Sequence, residues 1–262
     1  MSATRQFLFI AIVFLLFPSS LRQFIAAAAN DKINDNVKIF GGVAADISSV
    51  PFLLSLRYRA THFCAANAIT PFWSVTAAHC LHTYPPPSSI SVRVGSTNRI
   101  SGGTILPIER YHIHPKYDRI LIRYDVAVLR TTTAMPIPRF AILPSVNASY
   151  LTGTKVTVMG WGNTENGTLA LNLLQVQIPI VSGFRCKLAW WQYYTETSLC
   201  AGRVNKDSCT GDSGGGLWLN KTILVGVVSF GSEKCGSRKP GVYTKISHPD
   251  VLNFVKNTTG IN

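Results

Sequence analysis

The segment Lys206–Gly216 reads "KDSCTGDSGGG", with Asp207 and Asp212 just ahead of Ser213 and three glycines behind it. A serine hydroxyl is a poor nucleophile at neutral pH and attacks a carbonyl only when a base takes its proton. Upstream, "TAAHC" sets His79 beside Cys80, and "YDVAVL" sets Asp125 in an apolar, strand-like segment. An imidazole titrates near neutrality, so it can accept that proton and return it to a leaving group. A carboxylate beside the ring fixes which nitrogen carries hydrogen. These residue types together suit acyl transfer.

Those groups lie far apart in the chain, so a rigid scaffold must gather them. Period-2 alternation and β-branched runs recur in "ISVRV" (Ile90–Val94), "KVTVMGWG" (Lys155–Gly162), "LQVQIPIV" (Leu174–Val181) and "ILVGVVSF" (Ile223–Phe230). Turn-rich clusters such as "YPPPSS" and "NTENGT" separate them, which is the pattern of an all-β chain. Near the C-terminus Val251, Phe254 and Val255 give a helical stripe that Asp250 can cap, and a shorter helix is expected at Phe184–Trp190. The G-x-S-x-G pattern inside "GDSGG" also marks the nucleophile elbow of α/β-hydrolases. That fold needs an acid and then a histidine after the serine. Only Glu233 followed by His248 gives that order after Ser213, without the alternating strands and helices required, so the pattern does not fit.

Arg5, the apolar run Phe7–Phe17 and the alanines Ala26–Ala29 follow the layout of a secretory signal. Eleven residues before Pro18 fall short of the roughly 20 that a membrane-spanning helix needs. Residues 1–29 are therefore expected to be a cleaved leader, which makes the product extracellular and its six cysteines readable as a disulfide framework with 15 possible pairings. No C-x-x-C pair suggests zinc. Sequons stand at Asn147, Asn166, Asn220 and Asn257, usable only on a secreted chain. Lys and Arg number 25 against 12 acids, a net charge of +13. The bases are dispersed, which argues against a nucleic-acid face and leaves a solvated basic surface suited to acidic proteins or acidic glycans.

The order His79, Asp125, Ser213 with these flanking residues resembles the trypsin and chymotrypsin family of serine proteases, in its trypsin-like, three-disulfide, invertebrate-type secreted branch. The resemblance runs from "KIFGG" to the terminal helix and implies two six-stranded antiparallel β-barrels, with a boundary near 135–150, followed by a C-terminal α-helix. It implies catalysis by His79, Asp125 and Ser213, with an oxyanion hole made by the N–H groups of Gly211 and Ser213. It implies the disulfides Cys64–Cys80, Cys186–Cys200 and Cys209–Cys235. Residues 30–38 would be an activation propeptide. Cleavage after Lys38 would free the amine of Ile39 to pair with Asp212. Asp207 would form the base of the primary pocket, with Ser208 beside it, Ser229 supporting the catalytic aspartate, and Gly231 and Gly241 on the walls. An acid there implies cleavage after arginine or lysine.

The resemblance also implies a monomer acting on proteins or peptides, met by protease inhibitors, without membrane, nucleic acid, cofactor or metal. The segment "STNRISGGTILPIER" offers only Glu109 where related enzymes gather acids for calcium, and the "HIH" of His112–His114 lacks a third ligand. Phe230 stands where the family most often has tryptophan and Thr210 where trypsins usually have glutamine, so extended subsites are expected to differ. A secreted binding protein on the same fold is the rival reading. Such homologues commonly lose the serine or histidine, and this chain keeps both.

Overall fold

The computed structural model describes residues 42–83, 86–164 and 166–261. The leader, the activation segment and the Lys38–Ile39 bond lie outside them. Thirteen strands run in chain order: β1 (Val43–Ala44), β2 (Leu53–Tyr58), β3 (Thr61–Ala68), β4 (Trp73–Thr76), β5 (Ile90–Val94), β6 (Thr104–Ile113), β7 (Ala127–Thr131), β8 (Lys155–Gly160), β9 (Leu174–Val181), β10 (Ser198–Ala201), β11 (Gly216–Leu219), β12 (Ile223–Phe230) and β13 (Gly241–Lys245). Strands β2-β3-β4-β7-β6-β5 close into one antiparallel barrel, since β5 pairs back onto β2. Strands β8-β9-β10-β13-β12-β11 close into a second, with β1 added on the outer side of β9.

The alternation read from the sequence becomes the two faces of each wall. In β9, Leu174, Val176, Ile178 and Ile180 are buried while Gln177 between them is exposed. Each such side chain contributes about 1.5–3 kcal/mol by leaving water. Strands β11 and β12 are buried on both faces. Leu217 and Val225 fill the second barrel. Trp218, Leu224 and Val227 join the core of the first, where the Trp218 ring packs 4.8 Å from that of Phe52. The two barrels thus share a wall, and the cleft between them is fixed by packing rather than by a linker.

Helix α1 (Gly183–Trp190) starts at Ser182, whose Oγ accepts the N–H of Arg185, and buries Cys186. Helix α2 (Pro249–Thr259) returns to the first barrel, burying Val251, Leu252 and Val255 there. The expectation that Asp250 caps α2 is corrected. His248 occupies the cap position, and Pro249, which needs no N–H partner, takes the first helical place. Asp250 lies one turn position further on and is held by Lys116 Nζ at 2.6 Å and Tyr124 Oη at 3.3 Å. Two further boundaries differ. Asp125 stands just ahead of β7 rather than within it, which frees its side chain from the barrel face. Strand β8 stops at Gly160 because the N–H of Gly162 is given to Asp212 instead of a neighbouring strand.

Candidate active site

His79 lies in a single 3-10 turn, Ala78–Cys80, directly after β4. Asp125 is buried opposite it and is fully bonded. Its Oδ1 accepts the His79 backbone N–H at 2.8 Å, and its Oδ2 accepts the His79 ring N–H at Nδ1, also at 2.8 Å. The Ser229 hydroxyl, on β12 of the other barrel, donates to the same Oδ2 at 2.5 Å, and Thr244 Oγ1 donates to the Asp125 carbonyl. With Nδ1 donating, Nε2 is left as the basic nitrogen. Burial pushes the imidazole pKa down, but the Asp125 charge and hydrogen bond outweigh it and hold the ring above its ordinary value.

Ser213 is half-buried on the loop before β11, and its carbonyl accepts the N–H of Ala65 in β3. Cys64, the neighbour of Ala65, is disulfide-bonded to Cys80, the neighbour of His79. One covalent staple thus ties the histidine turn to the strand that holds the serine loop. Among the described residues no hydrogen bond joins Ser213 to His79; such bonds often close only when substrate binds. His79 Nε2 lies 3.8 Å from Cys80 Sγ. Cys64, His79 and Cys80 cluster tightly, but both sulfurs are in the disulfide and offer no thiolate to a metal. Around Ser213 the N–H groups of Asp212, Gly214 and Gly215 are all bonded. Those of Gly211 and Ser213, either side of Asp212, donate to nothing among the described residues.

Asp212 is fully buried, its carboxylate accepting N–H from Gly162 at 2.8 Å and from Cys209 at 2.9 Å. Glycines make room for it. A β-carbon on Gly160 would come within 2.0 Å of its Oδ1, and one on Gly162 within 2.5 Å of its Oδ2. Burial raises the Asp212 pKa to about 6 against the pull of those two N–H bonds. No cation meets it among the described residues; Lys38 and Ile39 lie outside them.

A pocket of about 260 Å³ opens beside Ser213 and is lined by Ser208, Thr210, Ser229, Phe230, Gly231 and Glu233, among others. Asp207 and Gly241 lie behind that lining rather than in it. Asp207 Oδ1 accepts the N–H of Ser208, and a β-carbon on Gly241 would stand 2.7 Å from the same oxygen. On Gly231 a β-carbon would meet only open space. Burial raises the Asp207 carboxyl to about 7, against the lowering effect of the Ser208 hydrogen bonds. The disulfide Cys209–Cys235 bridges the two loops that frame this pocket, and Cys186–Cys200 anchors α1 to β10.

Two residues of this site gave no sequence signal. Tyr243 is wholly buried and its hydroxyl reaches Ser208 Oγ at 3.2 Å. His62 in β3 is 4% exposed, with Nδ1 2.8 Å from Ser55 Oγ and Nε2 3.1 Å from the Gly211 carbonyl. Burial depresses its pKa to about 4, so it is neutral near pH 7 and holds the Gly211 peptide from the first barrel. The residues singled out as departures also have places. Phe230 packs edge-on against Trp190 and Tyr193, and the Thr210 carbonyl accepts the Asn163 N–H. Glu109 is taken by Arg110 and Arg130. His112 sits near Trp73, while His114 is buried against Tyr124 and Phe254. The four sequon asparagines are exposed.

Comparison with known proteins matches residues 39–255 to the family model described as Trypsin. The chain is 36% identical over 217 residues to Trypsin iota of Drosophila melanogaster, an alignment covering 80% of this chain and 84% of that protein. It is 35% identical over 233 residues to Trypsin 5G1 of Aedes aegypti, covering 86% of each. It is 34% identical over 253 residues to Serine protease 1 of Homo sapiens, covering 94% of this chain and 99% of that one.

Proposed function

The chain belongs to the trypsin family and is a trypsin-like serine endopeptidase, and from that premise we propose that it is secreted as a zymogen and, once cut after Lys38, cleaves peptide bonds that follow arginine or lysine. The observation that carries the specificity is Asp207, buried behind the pocket beside Ser213 and without a cationic partner among the described residues. An arginine or lysine side chain entering that pocket loses water and requires such a carboxylate to offset the loss. Gly241 leaves room at the carboxylate, and Tyr243 with Ser208 supplies further polar contacts.

In the proposed reaction Ser213 Oγ attacks the carbonyl carbon as His79 Nε2 takes its proton. Asp125 stays ionised, keeps hydrogen on Nδ1 and stabilises the imidazolium, the role established for the serine-protease triad. The unbonded N–H groups of Gly211 and Ser213 receive the oxygen that becomes negative; losing one such donor typically costs about 10²–10³ in turnover. The C–N bond then breaks, His79 returns the proton to the leaving amine, and water hydrolyses the acyl-enzyme with His79 again as base. Asp212 lies between those two donors in sequence and meets no cation among the described residues. The Ile39 amine freed by cleavage would neutralise it and fix the loop. Leader removal and glycans on the exposed sequons fit the same secreted product.

One experiment tests the reading. Matched peptides differing only in the residue before the cut are assayed on the secreted chain before and after limited trypsin treatment, with the new N-terminus sequenced. Activity is expected to appear together with an Ile39 N-terminus and to favour arginine and lysine. A preference for phenylalanine or leucine would overturn the specificity, and full activity before cleavage would overturn the zymogen.

A further inference from the structure

Away from the catalytic cleft the second barrel holds a pocket of about 600 Å³. Four segments build it: the turn at Thr152 and Gly153 before β8, the end of β9 running into α1, the loop after β10, and the loop before β13. They are pinned to one another. Gly202 N donates to the Pro179 carbonyl, Asn205 N to the Gly236 carbonyl, and Trp190 Nε1 to the Pro240 carbonyl at 2.8 Å. The cavity is therefore part of the framework and not a gap between loose loops.

Its chemistry is one-sided. Arg185, Arg203, Arg238 and Lys239 line it and no acid does. None of the four is in an ion pair among the described residues; only Lys239 has a side-chain partner, its Nζ lying 4.8 Å from the centre of the Trp190 ring. Between them the wall is apolar, with Ile180, Val181, Leu188, Val204 and Pro240. Leu188 and Val204 are 65% and 53% exposed, which a ligand would correct. Like charges gathered at a concave, low-dielectric wall focus a positive potential and raise the local concentration of anions.

We propose that this pocket is an exosite for an acidic peptide segment that carries a bulky apolar side chain between its carboxylates, as part of a protein substrate or inhibitor. The apolar wall decides between polyanions. A sulfated glycan has charge for the rim but nothing to bury against Leu188 and Val204, whereas an acidic segment with a central aromatic fills both. The site lies on the reverse of the specificity pocket. Gly202 and Pro240 line the exosite, and a β-carbon on Gly202 would be 3.4 Å from Pro240 Cα and 3.8 Å from Asp207 Oδ1. A partner held here would grip the loops that wall Asp207 from behind.

The test reads binding alone, so it stands apart from the proposed cleavage specificity. Full-length chain carrying Ser213→Ala is titrated into a fluorescent heptapeptide, phenylalanine flanked by three glutamates on each side, and anisotropy is recorded. Saturable binding with a Kd below about 1 mM is expected. Arg203→Glu with Arg238→Glu should weaken it by about tenfold or more, while Arg59→Glu with Lys256→Glu, reversing as much charge on the first-barrel side, should leave it nearly unchanged. Serine in place of the central phenylalanine should weaken binding about fivefold on unaltered protein, which keeps the test independent of any variant's folding. Absence of saturation, equal loss in both double variants, or tight binding of a heparin hexasaccharide with no effect of the phenylalanine would each overturn the proposal.

Discussion

The two barrels follow one strand order, first-second-third-sixth-fifth-fourth around each ring, yet they treat buried charge in opposite ways. In the first barrel Asp125 is surrounded by donors, two from His79 and one from Ser229, and His62 is buried as a neutral ring. In the second, Asp207 and Asp212 are buried and, among the described residues, accept hydrogen bonds only from backbone N–H groups and one serine hydroxyl. A buried carboxylate without a cation is strongly disfavoured, which is why both are pushed toward the protonated form. The contrast separates what a chain completes for itself from what it leaves to others. The first half presents a finished base. The second half presents two acids that the proposed function completes from outside, one with the substrate's cation and one with a new N-terminus.

The largest effect expected tests whether the two halves form one catalytic unit. His79→Ala in the first barrel and Ser213→Ala in the second should each lower kcat/KM by on the order of 10⁵–10⁶, and the double variant should be hardly worse than either. Additive losses in steady-state assays would mean that the halves act separately.

Next in size is Asp207→Ser. Truncating one member of a buried charge pair costs about 2–5 kcal/mol, so kcat/KM on arginine and lysine peptides should fall roughly 30-fold to several thousand-fold. Phenylalanine and leucine peptides should change much less. A uniform fall across all four would show that Asp207 shapes the loop and does not select substrate.

The pH dependence of stability should carry both signatures at once. His62 has a folded pKa of about 4, below its ordinary 6.5, so the unfolded chain binds the proton first. Its contribution is intact above pH 6.5 and is lost as pH falls towards 4, about 3 kcal/mol in all. Asp207 runs the other way. Its folded pKa of about 7 exceeds the ordinary 3.8, so its contribution is full below pH 4 and is lost as pH rises through 7, about 4 kcal/mol. Asp212 leans in the same direction as Asp207. Thermal midpoints of the Ser213→Ala chain should therefore fall as pH rises from 4 to 7, because the two acids outweigh His62. Adding His62→Gln should steepen that fall, and adding Asp207→Asn should flatten it. The same slope in both variants would break the contrast between the barrels.

Much of this was legible in the sequence because it is local. Leu174–Val181 alternates with a period of two, Ile223–Phe230 is an apolar, β-branched run, and both form strands with those bounds. The three disulfides implied by the resemblance are those formed. What was not legible depends on distant partners. His62 meets Gly211 across 149 positions, and nothing in "THFC" announces it. The need for glycine at Gly160 and Gly162 arises only because Asp212 arrives between them. Asp250 misled because an acid before an apolar stripe reads as a cap, whereas Pro249 had already taken the first helical place.

The smallest effect expected lies on the hydroxyl that reaches the Asp125 carboxylate from the second barrel. Ser229, on β12, donates to Asp125 Oδ2, which also receives the His79 ring N–H. A hydrogen bond to a charged group is worth about 1.5–3 kcal/mol, and part of it persists in ground and transition state alike, so Ser229→Ala should lower kcat/KM by about tenfold. The direction of the pH profile identifies the cause. With Ser229 gone, Asp125 keeps more of its negative charge for the imidazole, and His79, already raised by that charge, should rise further. Activity requires neutral His79, so the acid limb of kcat/KM should begin above pH 6.5 in the unaltered enzyme and move upward in the variant. A limb that moves down would show that the serine's hydroxyl strengthens the charge felt by His79. An unmoved limb with the same tenfold loss would reduce Ser229 to a packing role between the two walls.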